Sequence, residues 1–332
     1  SGGGGWPMTV VLTPEGEPFF GGTYFPARRG DRGSRAGLRE ILLELANRYE
    51  SDPAGVAQEA RKITADLQAQ SRGRPPAAVP VANALQRTAK QLQSRHDANW
   101  GGFGGAPKFP RSSNIEFLLR HYRRTGDADS LAAATRTLDK MAAGGIRDHV
   151  GGGFHRYSVD KRWLVPHFEK MLYDNALLIE LLSNVWQQTQ SPLYAIRVRE
   201  TINWALRDMR TTPDGPFAFT SAFDADSEGE EGKFYVWTAD EIDGILGADA
   251  ATFKDAYDVA SHGNWEGKTI LNRSHDLTLG TNEAEAGLAD AREILLSVRE
   301  NRIWPQRDEK ALADWNGMMI AALAKAGAVF NE

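Results

Sequence analysis

A mostly α protein is predicted: helical hairpins of the (α/α)6-toroid type, incomplete here, preceded by the C-terminal ββα part of a smaller domain. Three observations carry this expectation. Beyond residue 80 one apolar-periodic helix follows another. Their connections alternate between very short and very long. Before residue 73 the pattern is different, with two β-rich runs, two helices and then a proline-rich linker.

The elements follow in order. Residues 8–12 (MTVVL) are β-formers, and Thr13-Pro14-Glu15-Gly16 has the residues of a type I turn. Residues 19–25 read as the return strand. A helix over 36–49 places Leu38, Ile41, Leu42 and Leu45 on one face, and a second helix spans 54–71. Two strands and a helix do not stand alone, so this unit needs partners. The stretch RGRPPAAVP, 72–80, has the composition of a stiff spacer and divides the chain into 1–73 and 74–332. Helices are then predicted over 81–95, 114–124, 128–143, 168–188, 192–210, 283–300 and 312–329. The fourth is apolar nearly all round and should be buried. KFYVW, 233–237, reads as a strand. TGD and QSP are tight connections, whereas WGGFGGAPKFP, GGIRDHVGGGFHRYSVDKRWLVP and DGPFAFTSAFDADSEGEEGKFYVW are long and rich in glycine and aromatics. Such alternation puts the functional loops at one end of the helices.

Composition narrows the function. Over 332 residues the net charge is −5, with 25% charged and 41% hydrophobic residues. That balance offers no footprint for nucleic acid, and no apolar run is long enough to span a membrane. There are no cysteines, so no thiol acts within these residues and a metal would need His, Asp or Glu; no metal and no cofactor are expected. The chain opens SGGGGWPM, without an initiator methionine, and is read as an internal fragment. A cytoplasmic location is the expectation.

Four stretches carry candidate chemistry. In GGGFHRYSVDKRWLVPHFEKMLYDN, 151–175, the glycines put His155 on a loop and His167 at an expected helix start. Either histidine can serve as general acid–base, or both can hold loop backbone. Glu169, Arg156 and Asp174 flank them, and a helix would pair Lys170 with Asp174 at i,i+4. In FDADSEGEEGKFYVW, Asp224, Asp226 and Glu228 alternate like the first half of a calcium loop, but Tyr235 occupies the twelfth position where an acid is required. These acids reach a pocket from a hairpin tip, or form a solvated turn. In DEKALADWNGMMIAALA, Asp314 is an expected N-cap, and Asp314, Trp315 and Asn316 can bind hydroxyls. In WGGFGGAPKFP there is no GK[ST], so phosphate cradling is rejected; Trp100, Phe103, Lys108 and Phe109 are pocket-rim candidates, with Trp100 and Trp163 able to stack on sugar faces. His155, His167, Glu169, Asp224 and Asp226 are thus the catalytic candidates, and the others bind.

Two independent stretches carry a family resemblance. GGWPMTVVLTPEGEPFFGGTYFP resembles the second half of a thioredoxin-like domain, in which Pro7 would be a cis-proline after Trp6. FGGAPKFP, GGGFHRYSVDKRWLVPHFEKMLYDNALL, DADSEGEEGKFYVW and DEKALADWNGMMIAALA resemble the thioredoxin-domain-containing proteins of the spermatogenesis-associated protein 20 type, formerly a domain of unknown function. The resemblance implies a thioredoxin-like domain followed by a toroid similar to six-hairpin glycosidases and N-acylglucosamine 2-epimerases. It also implies a cysteine-bearing stretch upstream of Ser1 and further chain to close the ring. A small-molecule sugar is the expected partner. Two readings stay open: an epimerase, isomerase or glycosidase acting in the toroid, or a thioredoxin-like redox or folding factor whose toroid only binds.

Overall fold

The computed structural model describes residues 7–30, 36–72, 83–212 and 217–332. They fall into two compact units, within 1–81 and within 82–332.

In the first unit β1 (Thr9–Leu12) and β2 (Pro18–Gly22) pair antiparallel, with Thr9 opposite Gly22 and Val11 opposite Phe20. The turn closes by Gly16 N–H donating to Thr13 O (2.9 Å), with Gly16 at φ +83°. Helices α1 (Leu38–Ser51) and α2 (Pro53–Ser71) follow. Asp52 accepts from Gly55 N–H (2.9 Å) and caps α2, with Pro53 at its first position. Phe19, Leu45, Val56 and Ala60 form the core of this unit. Trp6, and with it the Trp6–Pro7 bond, lies outside the described residues; the cis bond among them is Ala106–Pro107.

The second unit begins with α3 (Asn83–Arg95), α4 (Ser112–Thr125) and α5 (Ala128–Ala143). After β3 (Tyr157–Ser158), β4 (Pro166–His167) and β5 (Lys170–Met171) come α6 (Leu172–Thr189) and α7 (Pro192–Asp208). A long excursion holds β6 (Ala222–Phe223), β7 (Asp226–Ser227), β8 (Glu230–Glu231), α8 (Ala239–Leu246), α9 (Ala250–Ala256), α10 (Asn282–Arg299) and β9 (Arg307–Asp308). The chain closes with α11 (Ala313–Phe330). Helix α6 packs against α4, α7 and α11, and α4 packs against α3 and α5. Thus α4, α6 and α11 form an inner row whose N-termini follow long connections, and α3, α5 and α7 lie outside. This is the helical-hairpin order of an α/α toroid.

Two of the inner helices, α6 and α11, share a device. Asn175, fourth in α6, accepts from Phe154 N–H (2.7 Å) and donates to the carbonyls of Phe154 and Met171 (3.0 Å each). Asn316, fourth in α11, does the same with Phe219 (2.8 and 3.0 Å) and Leu312 O (3.0 Å). Each amide fixes a buried phenylalanine of the preceding loop onto the start of the helix. Helix α6 is buried, as its composition predicts, through Leu172, Ala176, Leu178, Ile179, Leu181, Leu182 and Val185. Helix α11 buries Met319, Ala322 and Ala326 but exposes Met318 and Ile320, the latter 64% exposed.

Several local expectations change. Residues 168–171 are not helical, because Lys170 and Met171 pair with Phe223 and Ala222 in the three-stranded sheet β5-β6-β9. Residues 233–237 are not a strand. The chain turns at Gly232 (φ +74°), and only Trp237 bridges, to Thr269. Residues 239–256 carry the short helices α8 and α9, the first opened by a reciprocal capping box of Thr238 and Glu241. Asp314 is not the N-cap; Leu312 is, and Asp314 sits in the first turn.

The loop before α6 is pinned by a buried ion cluster. Lys170 Nζ donates to Asp148 Oδ2 and to Gly152 O (2.7 Å each), and Arg299, the last residue of α10, grips both Asp148 oxygens (2.9 Å each). Burial opposes ionisation of Asp148, but Arg299 and Lys170 outweigh it and hold the carboxyl well below its usual range. Asp148→Ala would leave two core cations without a counter-charge. It is expected to cost about 3–5 kcal/mol in chemical denaturation. A cost below about 1 kcal/mol would show that the cluster is not a stabilising contact.

Candidate active site

The N-terminal ends of α4 and α6 border a cleft of about 480 Å³ lined by Phe109, Arg111, Ser112, Ser113, Tyr173 and Asp174, with Glu116, Arg120 and Glu180 further along. The Trp315 ring of α11 meets Tyr173 edge-on at 4.8 Å, so the starts of all three inner helices converge here. A ladder of rings forms the adjoining wall. Tyr157 stacks on Phe109 (4.6 Å) and on His167 (4.9 Å), the latter its cross-strand partner in β3–β4.

Behind the wall runs a chain of charges. Arg156 donates to Glu169 Oε2 (2.7 Å), and the same oxygen lies 3.3 Å from His167 Nε2. His167 Nδ1 lies 2.7 Å from Glu231 Oε1. Glu169 first, then Glu231, raise the His167 pKa above its ordinary value and favour the imidazolium. His167 and then Arg156 in turn hold Glu169 at about 2 despite its burial.

Asp174 is the exception. Burial pushes its carboxyl up to about 7, against the pull of Arg156 and Tyr173, and neighbouring Glu169 adds to the rise. Its Oδ2 is buried without a hydrogen-bond partner. A carboxyl whose pKa is pushed to about 7 at the edge of a cleft, with an ionised carboxylate near it, is an arrangement suited to proton transfer.

The other predicted site residues separate into groups. His155 is 2% exposed, with Nδ1 3.0 Å from Phe168 O and its ring between Phe168 and Tyr235; burial holds its pKa at about 3. It is a core residue and does not border the cleft. Lys170 pairs with Asp148, not with Asp174, because the strand turns it inward. Lys108 is wholly buried and donates to Asp97, Gly101 O and Lys161 O (2.8 Å each). Trp163 and Phe103 are core, and Trp163 Nε1 donates to the carbonyl of half-buried Trp100 (2.8 Å), which places these rings in packing. Asn316 spends its amide on the backbone clamp. Asp314 is exposed and accepts from Trp315 N–H (2.9 Å). On the acidic hairpin Asp224 and Asp226 are exposed, with Asp224 accepting from Asp226 N–H (3.1 Å), and Glu228 pairs with Lys233. The acid that this hairpin delivers to a histidine is Glu231, which sequence reasoning missed. Its position opposite Asp226 in β7–β8 is a register that only the folded turn fixes. Gly152 and Gly153 adopt positive φ, and a Cβ on Gly153 would sit 2.7 Å from Trp204, so the glycines of this loop serve close packing. Among the described residues no group of three or more His, Asp or Glu is placed to hold a metal ion, and no helix is long and apolar enough to cross a membrane.

The folded Asp174 pKa of about 7 lies above the ordinary 3.8, so the folded state holds the proton more tightly. The contribution is present below pH 4 and is lost as pH rises through 7. Asp174→Asn should therefore gain stability relative to the parent at pH 8 compared with pH 5, read from denaturant midpoints. A pH-independent difference would mean that Asp174 has an ordinary pKa.

Residues 1–68 match the family described as Thioredox_DsbH, a protein of unknown function, DUF255. The whole chain aligns with spermatogenesis-associated protein 20 of Homo sapiens at 36% identity, covering 47% of that protein, and with its Rattus norvegicus counterpart at 35%, covering 46%. Among solved structures, an unsaturated glucuronyl hydrolase specific for heparin aligns over 76% of this chain and 69% of its own at 12% identity, with a TM-score of 0.39. The chain spans about half the length of the curated relatives it matches. Over all of its residues the chain is similar to the spermatogenesis-associated protein 20 proteins, and its first part is similar to the Thioredox_DsbH family.

Proposed function

We propose that the helical unit binds a small carbohydrate in the cleft at the starts of the inner helices and transfers protons to it, with Asp174 as the proton carrier. The observation that carries this reading is the Asp174 carboxyl, titrating near 7, beside Glu169, which stays ionised down to about 2. Two carboxyls held in opposite states are the inventory of glycoside hydrolysis, where one donates a proton and the other stabilises or activates. Ser112, Ser113 and Glu116 offer hydroxyl partners along the cleft, and Phe109 and Tyr173 offer ring faces. His167, drawn toward its cationic form, supplies fixed positive charge. Epimerisation by two histidine bases has less support, because His155 is in the core and His167 is held between two glutamates. The exposed apolar side of α11 supports the further proposal that more chain completes the ring.

A second reading rests on the match of residues 1–68 to the Thioredox_DsbH family: a redox or folding factor whose toroid binds without turnover. These 332 residues contain no cysteine, so any thiol would come from elsewhere.

Proton NMR of the full-length protein in D2O with a panel of mono- and disaccharides separates the two. Hydrolysis gives new anomeric signals, and Asp174→Asn should reduce their rate about 100-fold or more while saccharide binding persists. Deuterium entering beside a sugar carbonyl would replace hydrolysis by epimerisation. Saccharide binding without turnover across the panel would favour the redox reading.

A further inference from the structure

Away from the cleft, three guanidiniums converge on one carboxylate. On α7, Glu200 Oε2 accepts from Arg197 Nη1 (2.7 Å) and from Arg147 Nη2 of the loop after α5, and its Oε1 faces Arg292 Nη2 of α10 at 3.4 Å. Arg147 Nη1 also donates to neutral His149 (3.0 Å), and Arg292 Nη1 donates to the Tyr257 hydroxyl (2.7 Å). A fourth arginine, Arg207, is matched by Asp208 beside it. The acids that line this space are Glu200 and the exposed Glu293, against Arg147, Arg207 and Arg292. Positive charge is therefore in excess inside.

The space itself is a cavity of about 170 Å³ bounded by Arg147, Gly151, Gly152, Asn203, Arg207 and Arg292. That is room for several waters or one tetrahedral ion, and too little for a nucleotide. Of the lining arginines, Arg147 is 2% exposed and its Nε is buried with no hydrogen bond. Crowding adds its own mark: burial, then Arg197, lower the Arg147 pKa to about 10. Like charges crowded in a half-buried space are costly, and an anion among them would relieve the repulsion.

We propose that this cavity between α7, α10 and the 147–152 loop is a binding site for a phosphate-class oxyanion, held by Arg147, Arg207 and Arg292. It is independent of the cleft chemistry. Guanidinium forks suit tetrahedral oxyanions, which accept paired N–H donors. The ion would tie the excursion helix α10 to the outer helix α7.

Thermal unfolding of the full chain tests this, comparing inorganic phosphate with chloride at matched ionic strength. Phosphate should raise Tm by a few degrees and saturably. Asn203 is exposed, lines the space and makes no hydrogen bond to an arginine, so Asn203→Glu should fold normally yet lose the phosphate effect, whereas Asn203→Gln keeps it. Glycerol 3-phosphate distinguishes the source. Equal stabilisation assigns the site to the terminal phosphoryl group of a larger molecule, and stabilisation by inorganic phosphate alone assigns it to the free ion. No phosphate-specific rise in the parent, or an undiminished rise in Asn203→Glu, would overturn the proposal and leave the arginines as a structural clamp.

Discussion

The buried contact of Asp148 with Lys170 and Arg299 governs the architecture of the helical unit. It joins three segments far apart in sequence: the glycine-rich loop after α5, the strand that leads into α6, and the end of α10. Removing charges from water is costly, and this cluster tolerates it by satisfying each oxygen of Asp148 at least twice. Val150 and Gly151 N–H add two bonds to Oδ1 (3.1 and 3.0 Å). With Lys170 turned inward, Glu169 on the alternate side of the strand faces outward to Arg156 and His167. The polarity of the site wall therefore follows from where one buried lysine points.

The asparagine clamps and this cluster divide the work. Asn175 and Asn316 fix loop backbone to helix starts, and the ion cluster fixes the loop in depth. Together they hold the first turn of α6 rigid, which is where Asp174 sits. A carboxyl keeps a raised pKa only when its surroundings cannot relax to solvate it. The proposed proton carrier thus depends on neighbours that do not touch the cleft.

The unit also contrasts two ways of handling buried arginine. Arg299 has its counter-charge at ideal distance and its rings, Phe234 and Tyr235, beside it at 5.0 and 5.4 Å. Arg147 shares one carboxylate with two other arginines and borders a cavity, although the Nε of both Arg147 and Arg299 is buried without a hydrogen bond. The first is a closed structural contact. The second is open toward a cavity, and that difference sets it apart as a candidate site.

Local sequence pattern is enough to specify the helical hairpins. The extent of α5, the buried character of α6, the hairpin turn of β1–β2 and the alternation of short and long connections follow from local periodicity, caps and turn residues, which act within a few positions of the chain. The family relationship was legible for the same reason, since its motifs are contiguous. Tertiary structure alone decided the chemistry. Pairing with Ala222 and Phe223 overrode the helical pattern at 168–171 and reversed the direction of Lys170. Core packing withdrew His155, Lys108 and Trp163 from the candidate site. Hairpin register chose Glu231 over Asp224 and Asp226 as the partner of His167. Asp174 was visible as a residue, but its proton affinity was not. That property is set by desolvation and by charges distant along the chain, and no local pattern encodes it.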